Sequence, residues 1–340
     1  MLNFTSVFSK LNIILPTPKY LTFDTVAVDI SPEKVRVMKL KRKIVGLIPE
    51  FYKEVSLPKK YDINDISDPK QIHSEAIKGL IDTLKTLKTE LSLNHVTVSL
   101  PERKTYIFRT ILPKQSASDV ASAIRYSIEE NVPLKVEDIN FDYHIISVGE
   151  KGVDVVVRVF PKSIIKSYTQ IFKEAGLFVV SFQSESVALS SAVIVEGYEE
   201  PCLLIRFLED SANIAIVENN VVQYTSTINI DTKQMIKDYD SSRDASEIQQ
   251  ELNKLLVYWF TSKGFEYPHK KIQIAYIMGE FAMVPGIQEF LERHLRINIE
   301  VANVWANCFA TTEYIPEISQ EEAIRYAVAI GLAIKGVTHK

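Results

Sequence analysis

Apolar and polar positions along this chain fall into short strand-like runs and a few long helical stripes. Residues 26–30 and 34–40 read as two strands, separated by the turn-forming triplet Ser31-Pro32-Glu33. The second strand is basic, with Lys34, Arg36, Lys39, Lys41, Arg42 and Lys43, and reads as a solvated face running into a hairpin tip, the alternative being a patch that faces acidic lipid headgroups. Residues 68–91 place Ile72, Ala76, Leu80, Leu84, Leu87 and Leu91 at helical spacing, which predicts an amphipathic helix. Strands are predicted at 95–100, 106–110, 141–148, 153–160 and 178–182. Helices are predicted at 117–131, with Ser116 or Ser118 as N-cap, at 162–175 ending before Gly176, and at 185–195.

After Gly197 the pattern restarts with strands at 202–207, 212–218 and 221–228, the last two joined by Asn219-Asn220. A long helix at 246–263 carries the stripe Ile248, Leu252, Leu255, Leu256, Trp259 and Phe260. A strand at 272–278, a helix at 287–295, a short strand at 299–301 and an alanine-rich helix at 321–335 complete the chain. Two strands near residues 26–40 and three near 202–228 each precede alternating helices and strands. Two similar α/β halves with a cleft between them are therefore expected.

The ordered segments from about residue 24 to 336 resemble one family. VTVSLPERKTYIFRTILP and SAIRYSIEENVPLKVEDINFDYHII supply Leu100-Pro101, Arg109, Leu112-Pro113, Pro133, Glu137 and Asp142. VDVVVRVFPKSIIKSYTQIFKEAGLFVVSFQSESVALSSAVI, MGEFAMVPGIQEFLERHLRINIEVANVW and AIRYAVAIGLAIKG follow in order. The series is similar to PilM, the type IV pilus assembly family related to FtsA. The resemblance implies an actin-like α/β fold of duplicated RNase H-like halves. It divides the chain into a first subdomain (20–100, 179–198 and 320–338), an inserted subdomain (101–178), a second domain (199–319) and an N-terminal arm (1–19). It also implies a place in a ring, filament or scaffold beneath the inner membrane, bound to the cytoplasmic tail of a PilN-like membrane protein. Tyr106, Arg109, Pro133 and Phe141 are the regional candidates for that contact.

Actin-like ATPases hold nucleotide between two hairpin turns whose backbone amides face the phosphates and whose aspartates organise Mg²⁺. In this sequence the first turn keeps Asp29, but the expected glycine is Ser31, and Pro32 has no N–H to give. Glu33 adds negative charge beside the phosphate position. In the second turn the aspartate is Arg206, the glycine Leu208 and the threonine Ala212. The adenosine-side glycine cluster retains Gly279, followed by Glu280-Phe281, and Gly286 fits the next turn. These substitutions point to a degenerate cleft with no cofactor, doubtful Mg-ATP binding and no hydrolysis, in which Arg206 pairs with Asp29 or Glu33 in place of the metal. The alternative is an active actin-like ATPase whose nucleotide state controls assembly. A membrane tether of the FtsA kind would need an amphipathic terminal helix, and residues 337–340 are too short for one.

Composition narrows the picture. Only 11 of 340 residues are glycine, roughly half the usual share, which disfavours close backbone approach to phosphates. A net charge of −4 does not call for a nucleic-acid partner. Cys202 and Cys308 stand far apart, which suits a reducing compartment better than a disulfide or zinc framework. Residues 1–18 lack the pattern of a signal peptide, and no apolar run approaches membrane-spanning length. A cytoplasmic protein is expected, peripheral to the inner membrane and reaching it only through partners. The six histidines have no metal-ligand spacing. Ser163 and Lys166 match SxxK but begin an amphipathic helix without its companion motifs. Trp259 and Trp305 read as core, and Glu185 reads as a helix N-terminal acid. Leu11-Asn12-Ile13-Ile14-Leu15-Pro16 resembles the tail motif of PilN partners, which would let the arm enter its own groove or a neighbour's. An apolar arm packed on the first subdomain explains it too.

Overall fold

Among the described residues, three antiparallel strands come first: β1 (Thr25–Ile30), β2 (Lys34–Lys43) and β3 (Gly46–Ser56). Sequence reading found the first two and missed β3. Pro49 and the charged Glu50, Lys53 and Glu54 interrupt its apolar alternation, as suits an edge strand. The computed structural model describes residues 24–62, 64, 66, 74–113, 119–239, 242–261 and 270–338. The Leu11–Pro16 motif lies outside these residues.

Helix α1 (Glu75–Leu91) follows, capped by the Ser74 hydroxyl, which accepts from the amide of Ile77. Then come β4 (His95–Leu100), β5 (Tyr106–Leu112), α2 (Val120–Asn131), β6 (Ile139–Val148), β7 (Val153–Pro161), α3 (Lys162–Glu174), β8 (Phe178–Ser184) and α4 (Glu185–Val193). The N-cap of α2 is Asp119, which takes the amide of Ser122, and not either serine expected for it. The second half holds β9 (Cys202–Phe207), β10 (Ser211–Glu218), β11 (Val221–Asn229), α5 (Thr232–Met235), α6 (Arg243–Thr261), β12 (Ile274–Gly279), α7 (Ile287–Leu295) and β13 (Asn298–Val301). Asn219 and Asn220, both in the left-handed region, make the tight turn between β10 and β11. Helices α8 (Gln320–Ala323) and α9 (Ala327–Thr338) complete the described chain.

The two five-stranded sheets have one plan, with orders β3-β2-β1-β4-β8 and β11-β10-β9-β12-β13. In each, an antiparallel meander is extended by two parallel strands. The central strand β1 is buried on both faces. Val26, Val28 and Ile30 join the core under α1 and α3, whereas Ala27 joins the core shared with α4, α9 and the second half. The same parity sends Asp29 toward the junction between the halves.

A third sheet, β5-β7-β6, carries α2 on one face, with Phe108, Ile124, Ile128, Val155 and Val157 in its core. Helix α3, which the resemblance groups with the inserted subdomain, packs Ile164, Tyr168, Ile171 and Phe172 beneath the first sheet.

Candidate functional site

Asp29 is the penultimate residue of β1 and Arg206 that of β9, the corresponding strand of the other half. Both are nearly inaccessible to solvent. Asp29 Oδ2 lies 3.3 Å from Arg206 Nη2 and 3.9 Å from Arg36 Nη1, while its Oδ1 accepts a 2.8 Å hydrogen bond from the Ser99 hydroxyl. Arg206 also places Nη1 3.0 Å from Glu185 Oε2, an ionic contact without hydrogen-bond alignment. Glu185 begins α4 and accepts from Asn213 Nδ2 at 2.8 Å, and Asn213 Oδ1 accepts from the Thr227 hydroxyl at 3.0 Å. The pairing expected of Arg206 is therefore with Asp29. Glu33 turns away and meets Lys60 at 2.8 Å.

A second set of bridges was not legible in the sequence. Arg36, read as part of a solvated strand face, is buried. Its guanidinium bonds Glu54 through Nε at 2.6 Å and Glu280 through Nη2. Lys34 reaches the same two carboxylates at 3.3 and 3.2 Å. The reason lies in the sheet: β2 is interior, covered on both sides, and a charge at an inward position must find partners there. Glu280 therefore closes the junction from the second half, where sequence reading saw only a damaged glycine cluster.

Burial drives the protonation behaviour of the acids. It raises Glu185 to about 7; Arg206 opposes this, and nearby Asp29 and Glu102 reinforce it. Burial likewise raises Glu102, despite hydrogen bonds from the Ser186 amide at 2.9 Å and hydroxyl at 3.1 Å. For Glu54 and Glu280 burial also pushes upward, but Arg36 and Lys34 outweigh it and hold both below the usual carboxylate range.

The hairpin turns offer little to a nucleotide. The Ser31 amide donates to Lys34 O at 2.9 Å, Pro32 has none, and the Leu208 amide donates to Ser211 O at 2.8 Å. Ser31, Pro32, Glu33, Lys60, Leu208, Glu209, Asp210 and Glu280 enclose a space of about 30 Å³. A small-molecule site has roughly 300–1,000 Å³; a space of that size, about 550 Å³, opens beside the turns, where Glu209, Asp210, Asp231, Asp244 and Glu247 line it together with Lys60, Lys233 and Arg243. Four of the eight residues around the smaller space are acids, which repel phosphate. Gly279 has φ +98°, and a Cβ there would stand 2.3 Å from the Phe207 carbonyl, so its glycine serves strand packing. Gly286 lies apart, capping α7, and the Tyr239 ring covers it, 2.7 Å from where a Cβ would be. Asp29, Arg206, Ser31, Leu208 and Gly279 thus gather around one junction, and Gly286 does not. The residues present do not fit Mg-ATP. Among the described residues no cluster of three or more His, Cys, Asp or Glu could hold a metal ion.

The four partner candidates divide. Tyr106 and Phe141 both lie opposite Val159 and share the α2 face of the insert sheet, with Arg125 over the Phe141 ring at 5.3 Å. Pro133 is exposed just beyond α2. Arg109 projects from the other face, forks onto Asp154 at 2.9 and 2.6 Å, and reaches Glu218 of the second half at 3.2 Å. It clamps insert to second half. Trp259 and Trp305 are buried, as read, with Trp259 Nε1 donating to the Lys270 carbonyl at 2.9 Å and Trp305 stacked on Phe309.

Two halves with the same strand order, joined at a cleft between matching hairpins and carrying an inserted subdomain, define an actin-like ATPase fold. The chain belongs to the type IV pilus assembly protein PilM family, whose model matches residues 27–255 and 244–337. The solved PilM-PilN type IV pilus biogenesis complex has a chain of the same fold, with a TM-score of 0.73 and 16% identity, covering 93% of this chain and 99% of that one. The cytoplasmic domain of EpsL, from the type II secretion system of Vibrio cholerae, aligns with a TM-score of 0.48 and 11% identity over 93% of this chain and 95% of that one. The ethanolamine utilization protein EutJ from Carboxydothermus hydrogenoformans gives 0.45 and 13% over 97% and 98%. Among curated protein sequences none matches. No helix among the described residues is long and apolar enough to cross a membrane.

Proposed function

We propose that this chain is a non-catalytic adaptor of a type IV pilus or related assembly platform, holding its cleft closed with ion pairs where an active relative would hold Mg-nucleotide. The observation that carries the reading is the double bridge across the junction, Arg206 on Asp29 and Glu185 and Glu280 on Arg36. A guanidinium stands at the metal-organising position of the second hairpin, and the space directly between the two turns suits a water or two. Isothermal titration with Mg-ATP is expected to give no binding heat at millimolar nucleotide, and no phosphate should be released. Micromolar binding would overturn the pseudoenzyme reading and restore the nucleotide-controlled alternative.

Its partner in this reading is the short cytoplasmic tail of a PilN-like inner-membrane protein, through which the chain is held at the membrane from the cytoplasmic side. Tyr106, Phe141 and the exposed Pro133 lie on the insert and remain the surface proposed for the tail. Arg109 is committed to Asp154 and Glu218 and leaves that set. Deleting the partner's tail should abolish co-purification; undiminished recovery would rule the mode out. Assembly into rings or filaments fits an adaptor of this kind.

A further inference from the structure

Strand β6 is an edge of the insert sheet, and no strand among the described residues pairs with its outer side. An open edge is a row of unmet N–H and C=O groups, and stable proteins blunt such edges with proline, lysine, bulges or short length. The other edges show these devices or are covered. β3 contains Pro49, Lys53 and Glu54, and β13 has four residues. β8 is broken by a bulge at Val180, and β5 lies against β11. From Ile139 to Ile145, β6 pairs regularly with β7 and has no proline, lysine or bulge. Its side chains are exposed on both faces from Asp142 to Ile145, and Tyr143, Ile145 and Val148 are 37%, 42% and 65% exposed.

The order of residues on this edge makes it complementary to itself. An antiparallel pair of β6 strands around a twofold axis at Tyr143 sets Tyr143 against Tyr143 and Phe141 against Ile145 on the α2 face. On the opposite face it sets Asp142, which within the chain meets Arg158 Nη1 at 3.2 Å and the Tyr143 amide at 2.8 Å, against His144, twice. Shifting the axis to Asp142 opposes two carboxylates; shifting it to His144 opposes two imidazoles and leaves Asp142 facing Ile146. Of these three registers, the one centred on Tyr143 satisfies both faces. We propose that β6 binds β6 of a second copy of this chain in that register, joining two insert sheets into one of six strands. The partner is the chain itself, and the surface is independent of the cleft and of nucleotide.

The test uses the full chain. Cα atoms directly opposed across an antiparallel pair lie about 4.5–5.5 Å apart, within disulfide reach, whereas positions offset along the strand are not. Tyr143→Cys should therefore cross-link into a disulfide dimer under mild oxidation, and Asp142→Cys should do so far less; the two native cysteines are buried. Sedimentation should show a concentration-dependent dimer, weakened at least tenfold by Tyr143→Glu, which opposes two carboxylates at the axis. Asp142→His alone should weaken it, and the exchange Asp142→His with His144→Asp should restore it. Since these side chains are exposed, circular dichroism should stay unchanged. A chain that stays monomeric at every concentration, a dimer indifferent to Tyr143→Glu, or equal cross-linking at 142 and 143 would overturn the proposal. The edge shares Phe141 with the surface proposed for the tail, but Tyr143 lies outside that set, so tail binding should survive Tyr143→Glu.

Discussion

The two halves have the same strand order and directions, yet at the corresponding strand end one carries Asp29 and the other Arg206. Their neighbours on the adjoining strand differ as well: Arg36 lies opposite Asp29, and Asn213 opposite Arg206. A duplicated backbone brings these positions face to face whatever residues they bear. Acids on both sides would repel unless a cation stood between them; an acid and a guanidinium attract directly. In this chain the same scaffold that suits a metal site carries a lock made of side chains.

The largest effect should come from undoing the asymmetry. Arg206→Ala leaves Asp29 and Glu185 buried without that cation and is expected to cost about 3–5 kcal/mol in chemical denaturation. A loss below about 1 kcal/mol would mean that Arg36 alone suffices and that the two hairpins are not energetically joined. Gly279→Ala, which drives a Cβ into the Phe207 carbonyl with φ +98°, should cost about 2–4 kcal/mol and leave partner binding intact in whatever fraction folds. No measurable loss would return that glycine to a ligand role.

Stability should also depend on pH. Glu185 is raised in the fold to about 7, so the folded state holds a proton there more tightly than the unfolded chain does. Its contribution to stability is present below the ordinary glutamate value near 4.3 and is lost as pH rises through about 7. Glu185→Gln should flatten the melting temperature between about pH 4.5 and 8, with the largest gain at the alkaline end. An unchanged slope would assign the pH dependence elsewhere, first to Glu102. Smallest of all, Lys60→Ala removes an exposed partner of Glu33 and should change stability by less than about 0.5 kcal/mol. A larger loss would show that the cleft mouth, as well as its interior, holds the halves together.

Much of this was legible in advance. The periodicities placed most elements within a few residues, because apolar spacing records which face each segment buries. The hairpin substitutions were visible too, since Pro32 and Leu208 change chemistry that belongs to the backbone of a turn. β3 escaped because an edge strand exposes much of its surface and keeps no strict alternation. Arg36 and Glu280 escaped because they are 244 residues apart, and nothing local marks a charged residue as buried.

The sequence by itself determined the element order, the family, and the residue types at the two turns, with a proline lacking N–H in the first and a leucine in the second, because these depend on residue type and short-range spacing. Only the tertiary structure decided which charges meet at the junction between the halves. Sheet parity turned Asp29, Arg36 and Arg206 inward from strands distant in the chain. Burial then required each charge to find an opposite one, and the partners available lay in the other half.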